Sequence, residues 1–131
     1  MTKIFAHSLP DAHPDHWQSM SEHAKQVALL VKGFAGKFGA ASLGEVAGLL
    51  HDVGKYSNEF QSKLRGANSR VDHSTAGARV AAEAFAGFKP LGQLLAYVIA
   101  GHHAGLANGG SLKDRLDYSA SIWVRAARQS G

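Results

Sequence analysis

Apolar residues recur every three or four positions along most of the chain, which is the spacing that places them on one face of an α-helix. The first stripe predicts a helix that ends at Gly39, and it consists of Trp17, Met20, Ala24, Val27, Val31, Phe34 and Phe38. A second helix is predicted to start at Ser42, because Glu45 follows at the spacing of a capping box, and to close at Gly54. Its stripe consists of Leu43, Val46, Ala47, Leu50 and Val53.

Further helix starts are predicted in the rest of the chain. Ser57 can cap a short helix, Ser74 opens an alanine-rich one, and Pro90 suits the first turn of the next. A glycine-bearing loop is predicted over 105–110, and Ser111 then starts the last helix. No stretch shows the alternation of apolar and polar residues that is typical of a half-buried strand, so no β-strand is predicted.

The pattern predicts an all-α fold, a single-domain helical bundle of five to six helices over residues 1–131. Residues 1–16, which hold two of the prolines and three of the histidines, are predicted to be an irregular lead-in. Large aromatic side chains on the helices are expected in the core rather than on a base-stacking surface, namely Phe34, Phe38, Phe60, Phe85 and Trp123.

Composition narrows the class of protein further. The 131 residues are 45% hydrophobic and 18% charged, a globular balance, and a net charge of +4 is too small to identify a polyanionic partner. The absence of cysteine excludes disulfides, thiolate metal sites and cysteine nucleophiles. No apolar run approaches the roughly 20 residues that cross a bilayer, and the start lacks the layout of a signal peptide. We therefore expect a cytoplasmic protein with no membrane role.

Histidine is the unusual residue, with eight copies. Each long predicted helix carries a histidine near one end, so helices packed side by side would focus five imidazoles and one carboxylate into a pocket. The set consists of His23, His51, Asp52, His73, His102 and His103. Burying unpaired polar rings costs about 1–3 kcal/mol for each unsatisfied group, and bound metal ions remove that cost.

The chemistry of these side chains suits divalent transition metals. Imidazole and carboxylate bind manganese, iron, cobalt, nickel or zinc, whereas magnesium prefers oxygen ligands. Six ligands exceed the need of one open catalytic ion, so two ions bridged by Asp52 are predicted. Such a pair, about 3.5–4 Å apart, can hold and hydrolyse a phosphodiester. Lys55, one helical turn after His51, can stabilise the charge that develops at phosphorus.

Each residue also has an ordinary interpretation. A lone histidine on an apolar helix face is more often a hydrogen-bonded core residue, and Lys55 alone fits a solvated cation at a helix end. The lead-in histidines are expected to face solvent, namely His7, His13 and His16. The joint pattern, rather than any single member, favours the metal site.

That joint pattern resembles the HD metal-dependent phosphohydrolase superfamily. The run from His51 to Lys55 reads His-Asp-Val-Gly-Lys, with one histidine upstream and His73 and the His102-His103 pair downstream. Residues 72–78 and 101–106, together with the opening Ala-His-Ser at 6–8, resemble in particular the HD nuclease domain of the CRISPR type I helicase-nuclease. The resemblance covers essentially the whole chain.

The resemblance implies a role for each of these residues. The first ion would be held by His23, His51 and Asp52, and the second by His73, His102 and His103, with Asp52 as the bridge. Lys55 matches a family lysine thought to assist at the scissile phosphate. The implied activity is metal-dependent cleavage of single-stranded DNA in CRISPR interference, an antiviral defence. The implied partners are a helicase, fused or separate, and an RNA-guided surveillance complex.

One departure from the family pattern leaves alternatives open. The family usually adds an aspartate from a later helix, and no residue after Asp117 is acidic. Either the domain is truncated on its C-terminal side, or the first ion is held loosely and activity is weak. The alternatives are an HD phosphohydrolase that acts on nucleotides and a catalytically weak metal-binding module that docks onto a partner. A basic nucleic-acid-binding protein without chemistry fits least well, because the lysines and arginines are spread along the chain.

Overall fold

A computed structural model describes residues 3–105 together with residues 113, 114, 116 and 117. Within these, the all-α fold predicted from the sequence is confirmed. The α-helices are α1 (Met20–Gly36), α2 (Ala41–Leu50), α3 (Asn58–Leu64), α4 (His73–Ala84) and α5 (Lys89–Ala104). Short 3₁₀ turns occupy Pro14–His16, Val53–Tyr56 and Ala86–Phe88. No helix in this described part is both long enough and apolar enough to cross a membrane.

The sequence predicted no β-strand and an irregular segment over residues 1–16, and both predictions are wrong because a short two-stranded sheet forms at this end of the chain. Strand β1 (Phe5–His7) pairs antiparallel with β2 (Gln18–Ser19), so that His7 lies opposite Gln18. Strands of three and two residues are too short to show a period of two in the sequence. Trp17 consequently precedes β2 instead of starting α1, and its ring packs edge-on against Phe5 at 5.5 Å between centroids.

The predicted helix starts are partly confirmed. The Ser57 side chain caps α3 by accepting a hydrogen bond from the Phe60 amide, and Pro90 lies in the first turn of α5. Ser42 is not a cap, because α2 begins one residue earlier, after Ala40, without a side-chain capping bond.

Two further helix ends differ from the prediction. The cap of α4 is Asp72 rather than Ser74, since its carboxylate accepts a hydrogen bond from the Thr75 amide at 3.0 Å. The second helix ends at Leu50, so Val53 belongs to the following 3₁₀ turn. An aspartate satisfies a helix N-terminus as well as a serine does, and the sequence alone does not choose between neighbouring candidates.

Helices α1 and α2 pack closely through small residues. A Cβ added at Gly48 would lie 2.5 Å from the Ala28 Cα, and one added at Gly44 would lie 2.6 Å from the Ala35 Cβ. A phenylalanine does not fit in so close an interface. The predicted burial of Phe34 and Phe38 is therefore wrong, and these side chains are exposed.

The main core lies between α4 and α5. Its fully buried members are Ala78, Ala81, Leu95, Ala96, Ile99 and Ala100. Phe85 packs against this cluster and Phe60 is buried elsewhere, as predicted. Gly105, with a φ of 77°, ends α5. The predicted loop beyond it, and the predicted last helix apart from residues 113, 114, 116 and 117, lie outside the described residues, as does Trp123.

We predict that Gly48→Ala destabilises the protein by about 1–3 kcal/mol, because the added methyl group overpacks the α1–α2 interface. Gly33→Ala is the matched control, since a Cβ there meets no atom within 4 Å and the residue lies inside α1. That variant should stabilise by up to about 1 kcal/mol through helix propensity. Urea unfolding of the metal-free variants measures both, and equal stabilities would contradict the close packing.

Candidate metal centre

Asp52 is the centre of the site. It follows the end of α2 and precedes the 3₁₀ turn, and it is 2% exposed. The start of α1, the end of α2, the start of α4 and the end of α5 all converge on it, each carrying at least one histidine. The structure thus brings together the whole predicted set: His23, His51, Asp52, Lys55, His73, His102 and His103.

One oxygen of the Asp52 carboxylate, Oδ2, faces α1 and α2. It lies 3.0 Å from His23 Nε2 and 3.1 Å from His51 Nε2. The same two imidazole nitrogens are 3.3 Å from each other. Three donor atoms therefore meet on this side of the carboxylate.

The other oxygen, Oδ1, faces α4 and α5. It lies 3.2 Å from His73 Nε2 and 3.3 Å from His102 Nε2. The His103 ring packs against both, with centroid distances of 4.8 Å to His73 and 4.1 Å to His102. Ligand atoms of these three histidines and Asp52 all lie within 4.8 Å of one another. Each carboxylate oxygen thus has its own set of nitrogen neighbours.

Backbone carbonyls fix the orientation of two imidazoles. His51 Nδ1 donates to Gly48 O at 2.7 Å, and His102 Nδ1 donates to Ile99 O at 2.6 Å. Because a carbonyl only accepts, Nδ1 carries the proton, and in the neutral ring Nε2 then presents a lone pair. Both lone pairs point at the Asp52 carboxylate, which is also an acceptor. A cation between acceptors, either a proton or a metal ion, resolves that conflict.

Unpartnered buried atoms give independent support for a metal ion. Asp52 Oδ1 and His73 Nε2 are buried and make no hydrogen bond, although they approach each other to 3.2 Å. Such orphaned polar atoms are rare and costly in folded proteins. The donor set is nitrogen and carboxylate oxygen without sulfur, which suits a divalent transition metal, and the residues present therefore fit the predicted ions.

The electrostatics keep the carboxyl charged. Burial alone would raise the pKa of Asp52, but its interactions with the imidazoles, led by His102, and with Lys55 outweigh burial and hold this pKa far below its usual range. Burial lowers the pKa of His23 despite the nearby carboxylate. Burial also acts to lower the pKa of His102, but the nearby charge of Asp52 and the hydrogen bond to the Ile99 carbonyl raise it overall.

Lys55 is buried against the carboxylate. Its Nζ donates to Asp52 Oδ2 at 2.8 Å and to Ala6 O at 3.3 Å, and lies 5.4 Å from the centre of the Phe60 ring. With 3% of its surface exposed, it is not the solvated helix-end cation of the ordinary interpretation. The ammonium partly neutralises Asp52 from inside the protein.

Gly54 allows the start of α4 to approach the carboxylate. A Cβ at this position would overlap the backbone of His73, whose ring is one of the nitrogen neighbours of Asp52. The glycine between Asp52 and Lys55 is thus needed for packing. The run from His51 to Lys55 therefore carries both candidate metal ligands and a glycine that the close backbone approach requires.

His7 lies beside the site, which the sequence did not indicate. The residue is exposed, as expected, but its ring also packs edge-on against His23 at 4.8 Å between centroids. Its ligand atoms lie within 4.8 Å of those of His23 and Asp52. Burial lowers the pKa of His7, with further contributions from Lys55 and His23. His13 and His16 are exposed, as expected.

The family comparison agrees with this geometry. The model of the HD domain matches residues 20–122, so the chain belongs to the HD domain family, whose members are generally metal-dependent phosphohydrolases. The match begins at the first residue of α1 and spans six of the converging histidine and aspartate side chains, whereas His7 precedes it. No curated protein matches the chain.

We predict that Asp52→Asn destabilises the metal-free protein by about 3–5 kcal/mol at pH 7, because it leaves the Lys55 ammonium buried without its counter-charge. The pKa of Asp52 is depressed in the folded state. The difference in unfolding free energy between the wild type and Asp52→Asn should therefore be largest above the unfolded-state pKa of about 3.9 and should shrink as pH falls below it. Urea unfolding at pH 7 and pH 3 measures the difference.

The matched control for this measurement is Asp15→Asn. Asp15 also pairs with a lysine, Lys3 at 3.3 Å, but both side chains are exposed, so no measurable change is expected. An Asp52→Asn protein as stable as the wild type at pH 7 would show that the buried pair is not needed for the fold.

Proposed function

We propose that the chain is a metal-dependent nuclease that cleaves single-stranded DNA in CRISPR interference, with two divalent ions bridged by Asp52. The observation that carries this proposal is the division of one buried carboxylate between two sets of nitrogen neighbours, with Oδ2 facing His23 and His51 and Oδ1 facing His73 and His102. The resemblance of residues 72–78 and 101–106 to the CRISPR nuclease branch supports the choice of substrate.

The ligand assignment follows the same division. On the Oδ2 side the protein ligands are His23, His51 and Asp52, and on the Oδ1 side they are Asp52, His73, His102 and His103. When bound, two such ions supply a nucleophile at neutral pH and stabilise charge on the attacking and leaving oxygens of a phosphodiester. The protein contributes preorganisation, because the Nδ1 bonds of His51 and His102 hold their rings with Nε2 facing the carboxylate.

Lys55 has a positioning role in this proposal. Its ammonium is 2.8 Å from Asp52 Oδ2 and is enclosed by the Ala6 carbonyl and the Phe60 ring, so it holds the bridging carboxylate in place. Assistance by Lys55 at the scissile phosphate stays a prediction of the family resemblance. The contacts of Lys55 in the structure favour a role in holding the Asp52 carboxylate over a direct role at the phosphate.

Access to the site suits a polymer backbone. The imidazoles of His23, His51 and His102 keep 14%, 17% and 20% of their side-chain surface exposed, and His103 is an exposed residue. A phosphodiester can reach such edges without entering an enclosed pocket. The partners that follow from the proposal are a helicase and an RNA-guided surveillance complex, in the cytoplasm.

Hydrolysis of a nucleotide or another small phosphoester is the second candidate. The family match is to the HD domain at large and supports it equally. The same ligands would serve, and only the substrate would differ. A weakly active metal-binding docking module is the non-enzymatic alternative.

The decisive assay is cleavage of circular single-stranded DNA in a series of divalent cations, with Asp52→Ala and His102→Ala as variants. We expect cleavage with transition metals and a loss of at least about 100-fold in both variants, since each removes a metal ligand. His16→Ala, at an exposed histidine outside the cluster, should cleave as the wild type does. Circular dichroism identifies a variant that fails to fold.

Two results would overturn the proposal. Cleavage by a folded Asp52→Ala protein at the wild-type rate would show that Asp52 bridges no catalytic ions. Metal-dependent turnover of mononucleotides without cutting of the circle would favour the small-phosphoester enzyme instead.

A further inference from the structure

The N-terminal strand is held firmly against the metal centre. Phe5 and Ala6 are 5% and 1% exposed, and the Gln61 side chain, itself 5% exposed, clamps the strand. Gln61 Oε1 accepts from the Phe5 amide at 3.1 Å, and its Nε2 donates to Phe5 O and to Lys55 O, both at 2.8 Å. The Lys55 ammonium adds a bond to Ala6 O. One buried amide thus connects β1 to the segment that carries Asp52.

This anchoring places His7 beside the site. The pairing of β1 with β2 sets His7 opposite Gln18, just before the start of α1, and the His7 ring packs edge-on against the ring of His23 in the first turn of that helix, at 4.8 Å between centroids. Ligand atoms of His7, His23 and Asp52 lie within 4.8 Å of one another. Two ligands about 2.0–2.2 Å from one ion are at most about 4.4 Å apart, so a small side-chain adjustment brings all three onto a shared ion.

The two sides of Asp52 differ in the number of candidate metal ligands, and His7 lies on the side that has fewer. The Oδ1 side offers four protein ligands, counting the carboxylate: Asp52, His73, His102 and His103. Without His7, the Oδ2 side offers three among the described residues: His23, His51 and Asp52. A six-coordinate transition-metal ion accepts a fourth protein ligand and still keeps positions open for water, and His7 is the remaining imidazole near this side in the described part of the chain.

We propose that His7 is a fourth protein ligand of the ion held by His23, His51 and Asp52 Oδ2. The inference rests on the two-ion site of the proposed function but concerns a residue that precedes the matched HD domain. It makes β1, with its Gln61 clamp, a part of the metal centre.

Isothermal titration of the metal-free protein with Ni²⁺ or Co²⁺ tests the inference without reference to activity. We expect His7→Ala to weaken one of two binding events at least about tenfold and to leave the other unchanged. His7→Asp, which restores an oxygen ligand, should recover part of the affinity. His16→Ala is the matched control, an exposed histidine of the same segment, and should change neither event.

The visible spectrum of the Co²⁺-loaded protein separates a ligand from a merely structural residue, because it reports the coordination of the ion. It should change in His7→Ala and not in His16→Ala, while both variants unfold at the wild-type temperature without metal. Two wild-type binding events and an unaltered spectrum in His7→Ala would overturn the role of His7 and leave the proposed nuclease standing. A wild-type protein that binds no ion would overturn both.

Discussion

Burial of the Asp52 carboxylate is the constraint on which the rest of the structure depends. Removing a charged carboxylate from water costs several kcal/mol, which a protein recovers only with well-placed opposite charge and hydrogen-bond donors. Lys55 supplies a full charge at 2.8 Å, and the imidazoles of four helix ends surround the two oxygens. The pair keeps Asp52 ionised, so the acid remains available as a metal ligand at every physiological pH.

The tight backbone packing serves the same arrangement. Helix ends can meet around a single carboxylate only if the backbones nearby approach closely, and glycines lie at these approaches. Gly54 makes room for the backbone of His73, and a Cβ at Gly77 would lie 2.8 Å from Leu50 O, just before His51. Gly48, whose carbonyl orients His51, lies against α1 near Ala28. Substituting these glycines would therefore displace the ligands as well as the helices.

The sequence predicts the features of this protein that depend on periodic apolar spacing or on residues close together along the chain. Helical periodicity located the five α-helices, and the histidines near their ends predicted the site, because helix ends on one side of a bundle must converge. The exposure of Phe34 and Phe38 was not predictable from periodicity, since the face that packs is chosen by the small residues of α2. The position of His7 was not predictable either, because it depends on a two-residue strand pairing and on Gln61, 56 residues from Phe5.

The two oxygens of the Asp52 carboxylate have different electrostatic surroundings. This difference bears both on the loosely held first ion that the sequence led us to expect and on the position of His7. On the Oδ2 side a metal cation would share its carboxylate oxygen with the Lys55 ammonium, whereas the described neighbours of Oδ1 are imidazoles. Two unit charges about 4 Å apart repel by about 4 kcal/mol at an effective dielectric constant of about 20. In the proposed two-ion site the Oδ2 side would therefore gain more from an additional donor than the Oδ1 side, and the described imidazole beside it, after those of His23 and His51, belongs to His7. Lys55 stabilises the buried acid and would thus weaken an ion on the Oδ2 side, and in the site that we propose His7 would offset that loss.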